Sequence, residues 1–257
     1  MNKLIFNEKQ YVKDIVLKYD KNILDINLYQ LIRLLAVYYY QELSMTDKKE
    51  MSKTINRDVE KFEFNGYYYE LHYKTINKII NDVIKYDIKF KDVSSVPIYQ
   101  DEYEIIKGCG GKKQQKLLAT LYVMARWNNE TSGWTGMKSR PQHIKKSANL
   151  TCTNKDVDLL YYDLYKNKFI DMTRKAGKFC YKMNFFEIDK NKPVAIEFNS
   201  FDNIGNKFLA SLDKEHLVCE KCGKLVKRTS PRMKYCKKCS QEIHKEIDRE
   251  YQKKKKK

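Results

Sequence analysis

The segments Cys219-Glu220-Lys221-Cys222 and Cys236-Lys237-Lys238-Cys239 are two C-x2-C pairs separated by 13 residues. Four thiolates at this spacing complete the tetrahedral coordination of Zn²⁺ and leave no position for a water molecule. We therefore predict one structural zinc ion, bound by Cys219, Cys222, Cys236 and Cys239. The residues between the pairs are expected to form a hairpin with Gly223 in a tight turn, so that residues 216–241 form a zinc ribbon. An iron–sulfur centre and a redox dithiol pair are alternatives for the same thiols.

Positive charge is concentrated in the same part of the chain. The 257 residues carry a net charge of +18, and residues 219–257 contribute +10 of it through 15 Lys/Arg against 5 Asp/Glu. An excess of this size indicates a polyanionic partner. Residues 242–257 are predicted to be a basic tail. Ser240–Tyr251 is expected to be a charged helical segment, and Lys253–Lys257 is not expected to fold alone. Lysines that neutralise phosphates would give salt-sensitive binding. Two alternatives are that the lysines reflect a G+C-poor genome or only aid solubility.

The order of predicted elements is most informative between residues 112 and 189. Three helices and two strands are predicted at 115–127, 139–148, 154–167, 169–173 and 179–186, with Pro141 in the first turn of the second helix. Thr153-Asn154-Lys155-Asp156 resembles a capping box at the start of the third helix, with Asp in place of the usual Glu. Helix, short helix, helix and a hairpin with a basic tip is the order of a winged helix-turn-helix. In that fold the third helix enters the DNA major groove and the wing contacts the backbone.

The predicted nucleic-acid contacts lie on the second and third helices, the wing and the cysteine-rich segment. They are Lys145, Lys146, Asn154, Lys155, Tyr162, Arg174, Lys175, Lys178, Lys227, Arg228, Arg232, Lys234, Lys237 and Lys238. Asp156 is explained by its role as a cap acceptor, since helix N-termini favour carboxylates. Asp158 and Asp163 make the third helix less basic than a good groove-binding helix. A winged helix used for protein contacts is therefore the alternative.

Outside this segment, residues 1–107 are predicted to be a helical N-terminal region and residues 190–215 a connector that contains a helix. Within the N-terminal region we expect a helix capped by Thr46 and a hairpin at Asn65-Gly66. The fold class is therefore mainly α with small β hairpins (α+β). The predicted core consists of Leu31, Leu35, Ile79, Ile80, Leu118, Leu121, Leu160, Leu164 and Phe185.

Composition also limits where the protein acts. The N-terminal sequence meets charged residues too early for a signal peptide, and the longest apolar run, Leu34 to Tyr40, is far shorter than a membrane span. We expect a cytoplasmic, nucleoid-associated protein that has no membrane partner and keeps its cysteines reduced.

The sequence contains no recognisable catalytic motif. A nucleophile elbow, a Walker loop and a His/Glu metalloprotease helix are all missing from it. We therefore predict a non-enzymatic protein. The scattered carboxylates leave a two-metal nuclease as an alternative, which would show itself by metal-dependent nicking.

Three segments, Glu220–Lys227, Lys234–Cys239 and Lys116–Trp127, resemble uncharacterised winged-helix plus zinc-ribbon proteins of low-GC Gram-positive bacteria and their phages and mobile elements. The resemblance implies a DNA-associated role. The expected function is that of a non-enzymatic DNA-binding protein, acting in transcriptional regulation or replication initiation on double-stranded DNA. The alternatives are a protein–protein adaptor that docks a replication or transcription protein, and an RNA-binding zinc-ribbon protein.

Overall fold

The computed structural model describes residues 4–19, 26–64, 67–132, 136–138, 141–175, 178–185 and 191–255. Within these ranges the chain is mainly helical and carries short antiparallel strands, so the predicted α+β class is confirmed at this level. The chain divides into two compact units, residues 1–94 and residues 95–257, here called the N-terminal and C-terminal units.

The N-terminal unit is built around three helices that bury one shared apolar core. Its elements are α1 (Glu8–Tyr11), which continues as a π-helical turn (Val12–Val16), α2 (Leu28–Gln41), α3 (Lys48–Glu60) and α4 (Tyr69–Lys85). The predicted core residues Leu31, Leu35, Ile79 and Ile80 are all at most 3% exposed. They pack with Ile55 and Val59 of α3, because each helix places its apolar residues at three- and four-residue intervals on one face.

Two local predictions for this unit differ from the structure. Asp47, rather than Thr46, caps α3, because its carboxylate accepts hydrogen bonds from the backbone N–H groups of Lys49 (2.8 Å) and Glu50 (3.0 Å). The predicted hairpin is also wrong on its C-terminal side: α4 already begins at Tyr69, where a second strand was expected. Asn65 and Gly66 themselves lie outside the described residues.

A buried carboxylate joins the elements of the N-terminal unit. Asp58 of α3 accepts hydrogen bonds from the hydroxyl groups of Tyr39 and Tyr19 and from the Lys61 ammonium group. Burial alone would raise the pKa of Asp58, but these hydrogen bonds outweigh burial and hold the pKa below its ordinary value. The buried charge is therefore compensated, and the cluster fixes α2, α3 and the turn after α1 to one another.

The C-terminal unit contains six helices and seven strands within the described residues. They are β1 (Val96–Tyr99), α5 (Gln100–Gly108), α6 (Lys112–Ser132), β2 (Gly136–Lys138), α7 (Pro141–Ser147), α8 (Asn154–Lys166), β3 (Ile170–Lys175), β4 (Lys178–Met183), β5 (Val194–Phe198), α9 (Ile204–Leu212), β6 (His216–Val218), β7 (Leu225–Lys227) and α10 (Lys237–Lys255). The strands form three antiparallel sheets, β1–β5, β2–β4–β3 and β6–β7. Strand β2 was not predicted.

Helix α6 lies at the centre of this unit and contacts α5, α7, α8 and α9. Leu118 and Leu121 on α6 are fully buried, as predicted. Arg126 on the same helix is 3% exposed and donates to the buried carboxylate of Glu102 at 2.7 Å. Removing either partner would leave the other charge buried and unpaired, so the Arg126–Glu102 pair holds α5 against α6.

The close contact between α9 and its neighbours depends on a glycine. A Cβ atom on Gly205 would lie 2.2 Å from the carbonyl oxygen of Ala148 and 2.8 Å from the Cβ atom of Lys116. Only a residue without a side chain permits this approach. Helix α9 therefore packs directly on α6 and on the end of α7.

Pairing of distant strands places the unit boundary earlier than the predicted one at residue 107. Strand β1 pairs with β5 in the register Val96↔Phe198, so residues 95–107 belong to the C-terminal unit. The same pairing makes the predicted connector, residues 190–215, an integral part of this unit.

The segment 112–189 contains the three predicted helices and the two predicted strands in order, with the additional strand β2 between the first and second helices. Thr153 caps α8 and forms the predicted capping box with Asp156, and the C-cap is Asn167. Leu160 and Leu164 are buried as predicted, whereas Phe185 is only half-buried. Strands β3 and β4 pair in register from Ile170↔Met183 to Lys175↔Lys178, so the turn between them falls at residues 176–177, outside the described residues.

Candidate metal centre and basic surface

The first cysteine pair lies between two short paired strands. Strands β6 and β7 pair in the register Val218↔Leu225, and the Cys219 N–H donates to the Lys224 carbonyl at 2.9 Å. The Gly223 N–H donates to the Cys219 carbonyl at 2.8 Å, which closes the turn between the two thiols. Gly223 adopts φ +69°, a left-handed conformation that favours glycine, as the sequence indicated.

The second cysteine pair lies at the start of a helix. Cys236 immediately precedes α10, and Cys239 lies in its first turn. The hairpin therefore flanks the first pair, which differs from the expected hairpin between the pairs. Helix α10 contains the predicted helical segment Ser240–Tyr251 and continues to Lys255, so it also includes three of the lysines that were not expected to fold alone. Residues 256–257 lie outside the described residues.

The four sulfur atoms form one compact group. The Sγ atoms of Cys219, Cys222, Cys236 and Cys239 all lie within 4.8 Å of one another, and those of Cys222 and Cys236 are 3.8 Å apart. A tetrahedron with Zn–S bonds of about 2.3 Å has edges of about 3.8 Å. The Cys222–Cys236 separation matches this edge, and no pair of the four sulfurs exceeds it by more than about 1 Å. The prediction that these four cysteines assemble into one potential metal site is confirmed.

The surroundings of the site act differently on the individual thiols, and only Cys219 is shifted toward the thiolate, whereas the pKa values of Cys222 and Cys239 are raised. Burial raises the pKa of Cys219, but backbone N–H groups, led by that of Cys236, lower it to about 6. Cys239 has the opposite balance, because burial and the neighbouring thiols raise its pKa to about 12. The Lys221 ammonium group pairs with Glu242 (3.4 Å) and Glu246 (3.2 Å), which links the first pair to α10. A divalent cation bound by the four thiolates would offset part of their negative charge.

The cysteine module packs on helix α9. The side-chain amide of Asn206 donates to the Gly223 carbonyl at 2.7 Å, and Asn206 is 5% exposed. Leu217 of β6 is also buried. Because α9 packs in turn on α6, the module is part of the C-terminal unit rather than a separate appendage.

Six of the fourteen predicted nucleic-acid contacts surround this module. Lys227, Arg228, Arg232, Lys234, Lys237 and Lys238 are all exposed. An open groove of about 430 Å³ at the end of the β6–β7 hairpin is lined by Lys214, Lys227 and Arg228, together with the hydroxyl groups of Thr229 and Ser230. Glu215 pairs with Lys227 at 3.4 Å, so one of these three cations is partly neutralised.

The predicted contacts on α7 and α8 form a second exposed area. The Lys145 ammonium group lies 3.4 Å from the side-chain oxygen of Asn154, so the two helices meet at this point. Lys146, Lys155 and Tyr162 are exposed. Arg174, Lys175 and Lys178 occupy the ends of β3 and β4 beside the turn, but their side chains lie outside the described part of the structure.

Two exposed residues of α8 were not among the predicted contacts. Leu159 and Lys166 stand four and eleven residues after Lys155, so they share its helical face. Leu159 is 55% exposed. Helical periodicity counted from Lys155 was the signal that could have identified both residues.

Comparisons with protein-family models, curated proteins and solved structures found no match to this chain. None of the helices in the described ranges has the length and apolar character needed to cross a membrane. The interpretation of the metal site and of the two basic areas therefore depends on geometry and charge.

Proposed function

We propose that the protein binds double-stranded DNA through its C-terminal unit, as a non-enzymatic regulator or replication-initiation factor of a bacterial or mobile-element system. In this proposal α6, α7, α8 and the β2–β4–β3 sheet act as a winged helix. The four cysteines hold one structural Zn²⁺ in a module of a β-hairpin and a helix, which takes the place of the expected zinc ribbon. The cytoplasm, at the nucleoid, is the proposed location.

The observation that carries this proposal is the division of charge between the two units. The N-terminal unit has 16 Lys/Arg and 14 Asp/Glu, so it contributes +2, and the C-terminal unit contributes the remaining +16. The exposed cations of the C-terminal unit surround the metal site and extend along α7 and α8. A field of this sign and strength attracts a polyanion, and phosphate contacts provide most of the sequence-independent affinity for DNA.

The zinc ion would support DNA binding by stabilising the fold of the cysteine module. With four sulfur ligands it would have no open position for substrate or water, so it would be structural. It would join the β6–β7 hairpin to the first turn of α10 and so hold the cations between residues 227 and 238 in a fixed arrangement.

Salt dependence tests the proposal. In the triple variant Arg228→Ala, Arg232→Ala, Lys234→Ala, we expect the slope of log K against log salt for duplex binding to fall by up to about 2.7, since each phosphate contact contributes about 0.9. The measurement is fluorescence anisotropy with a labelled duplex at several salt concentrations.

The matched control removes three exposed lysines of the N-terminal unit, Lys53, Lys74 and Lys78. It lowers the net charge equally, so a general charge effect would change both slopes alike. Equal slopes in the two triple variants, or failure of the parent protein to bind duplex at low salt, would contradict the proposal. Stronger competition by single-stranded RNA than by duplex would favour the RNA-binding alternative.

A second candidate function is a protein–protein adaptor acting through the N-terminal unit. Three large apolar side chains on or beside α4 are strongly exposed: Leu71 (73%), Tyr68 (63%) and Tyr86 (63%). This unit is almost neutral, so such residues suit an apolar contact with a replication or transcription protein better than a phosphate contact. Binding to such a partner would persist at salt concentrations that abolish DNA binding.

A further inference from the structure

The outward face of α8 combines cationic ends with an apolar centre. Lys155, Leu159, Tyr162 and Lys166 follow one another at intervals of four, three and four residues, so they form one stripe along the helix. Leu159 is 55% and Tyr162 58% exposed. The opposite face of α8 is the buried one and carries Val157, Leu160, Tyr161 and Leu164.

The net charge of the C-terminal unit favours a polyanion as the occupant of this stripe, although α8 itself carries two lysines against Asp156, Asp158 and Asp163. The stripe belongs to the C-terminal unit, which contributes +16 to the net charge. Neither Lys155 nor Lys166 forms an ion pair with a described residue. Asp156, the nearest carboxylate in sequence to Lys155, is directed to the cap: it accepts from the Thr153 N–H at 2.9 Å and from the Thr153 hydroxyl at 2.8 Å. Because a lysine lies at each end of the apolar pair Leu159 and Tyr162, the stripe suits a surface that carries phosphates on both sides.

The dimensions of the stripe match the major groove of a DNA duplex. At 1.5 Å per residue, Lys155 and Lys166 are separated by about 16 Å along the helix axis, somewhat more than the groove width of about 12 Å. The two lysines can therefore reach the phosphates of opposite strands. Leu159 and Tyr162, about 6 and 10 Å from Lys155, then fall over the base edges.

Only one base offers an apolar group at those edges. In the major groove, thymine presents its C5 methyl group, whereas guanine presents two acceptors, N7 and O6. The exposed Asp158, one residue before Leu159, can accept from the N6 amino group of adenine or the N4 amino group of cytosine, so the preference rests on the methyl group alone. The chemistry of the stripe therefore fits an A·T pair better than a G·C pair.

We propose that α8 recognises thymine methyl groups in the major groove of A·T-containing DNA, with Leu159 and Tyr162 as the contacting side chains. This inference rests on the proposed function, since it names the class of DNA that the same unit binds. It also assigns a role to Leu159 and Lys166, and it explains why this helix is less basic than a purely phosphate-binding surface.

Replacing thymine with uracil removes the methyl group and leaves every hydrogen-bonding edge unchanged. We expect the full-length protein to bind alternating poly(dA-dT) more tightly than alternating poly(dA-dU), by about fourfold for each methyl group buried. In Leu159→Ala the preference for the methylated polymer should fall to near unity if Leu159 makes the main contact. Leu159 is exposed and alanine favours helix, so this variant should fold normally.

The control variant is Leu43→Ala, which removes an equally exposed leucine (53%) from the N-terminal unit and should keep the full preference. Equal affinity of the parent protein for the two polymers would overturn the inference about α8 and leave the proposed DNA binding intact. Failure to bind either polymer at low salt would overturn both. An unchanged preference in both Leu159→Ala and Tyr162→Ala would assign methyl recognition to other residues and would also overturn the inference.

Discussion

Replacing Gly205 with alanine is expected to destabilise the C-terminal unit by about 3 kcal/mol, near the upper end of the range for overpacked sites. The new Cβ atom would lie 2.2 Å from the Ala148 carbonyl oxygen, which is backbone and cannot rotate away as a side chain could. Helix α9 would have to move from α6, and the cysteine module that packs on α9 would move with it. The unfolding midpoint should fall by roughly 6–12 °C for a unit of this size. Circular dichroism melting measures this change.

Gly108→Ala is the matched control for this prediction. Gly108 is the last residue of α5, and a Cβ atom built on it meets nothing within 4 Å. Alanine at such a position reduces the entropy of the unfolded chain, so we expect no loss of stability and a gain of up to about 1 kcal/mol. Similar melting temperatures for the two variants would show that α9 does not pack closely against the end of α7.

Replacing Cys219 with serine is expected to abolish metal binding and to unfold the module between residues 216 and 241. Cys219 is 1% exposed and lies among the other three sulfur atoms, so no other described side chain can substitute for it. Structural zinc supplies about 10–16 kcal/mol of folding free energy in small zinc domains, far more than the short β6–β7 hairpin can supply alone. The metal content per chain, measured by elemental analysis, should fall from one zinc to none.

The effect should extend beyond the module. Asn206 donates to the Gly223 carbonyl, so loss of the turn leaves a buried amide of α9 without its acceptor. Cys152→Ser is the control, since Cys152 lies outside the four-sulfur group and should leave one zinc ion and the full melting temperature. Retention of one tightly bound zinc by Cys219→Ser would contradict the proposed ligand set.

Local sequence signals predicted α8 well because its limits depend on local interactions. Thr153 and Asp156 are three residues apart and cap the helix with their own side chains. The same kind of signal gave the wrong cap for α3, where Thr46 was predicted and the adjacent Asp47 is the cap. The carboxylate of Asp47 caps α3, since it accepts hydrogen bonds from two backbone N–H groups at once.

Features that depend on distant pairing were not predictable in this way. The boundary between the two units follows from the pairing of β1 with β5, about one hundred residues later in the chain. Strand β2 likewise exists because β4 is available as its partner. Neither relation leaves a periodic pattern in a short window of sequence.

The candidate metal site was predictable in composition but not in detail. Two C-x2-C pairs identify the four thiols, because this spacing directs two sulfurs to one point. The predicted helix began at Ser240, because Lys237 and Lys238 give no apolar signal, so the start of α10 inside the second cysteine pair was not predicted. The packing of Gly223 against α9 depends on Asn203 and Asn206, which no local motif connects to the cysteines.

Hydrogen–deuterium exchange of the full-length protein with and without saturating duplex DNA tests the central claim most directly. Binding through the C-terminal unit predicts slower exchange in residues 154–166 and 216–240, with no change in residues 69–85 of the N-terminal unit. Slower exchange confined to the N-terminal unit, or no change in either unit when binding is saturated, would contradict the assignment of DNA binding to α8 and the metal module.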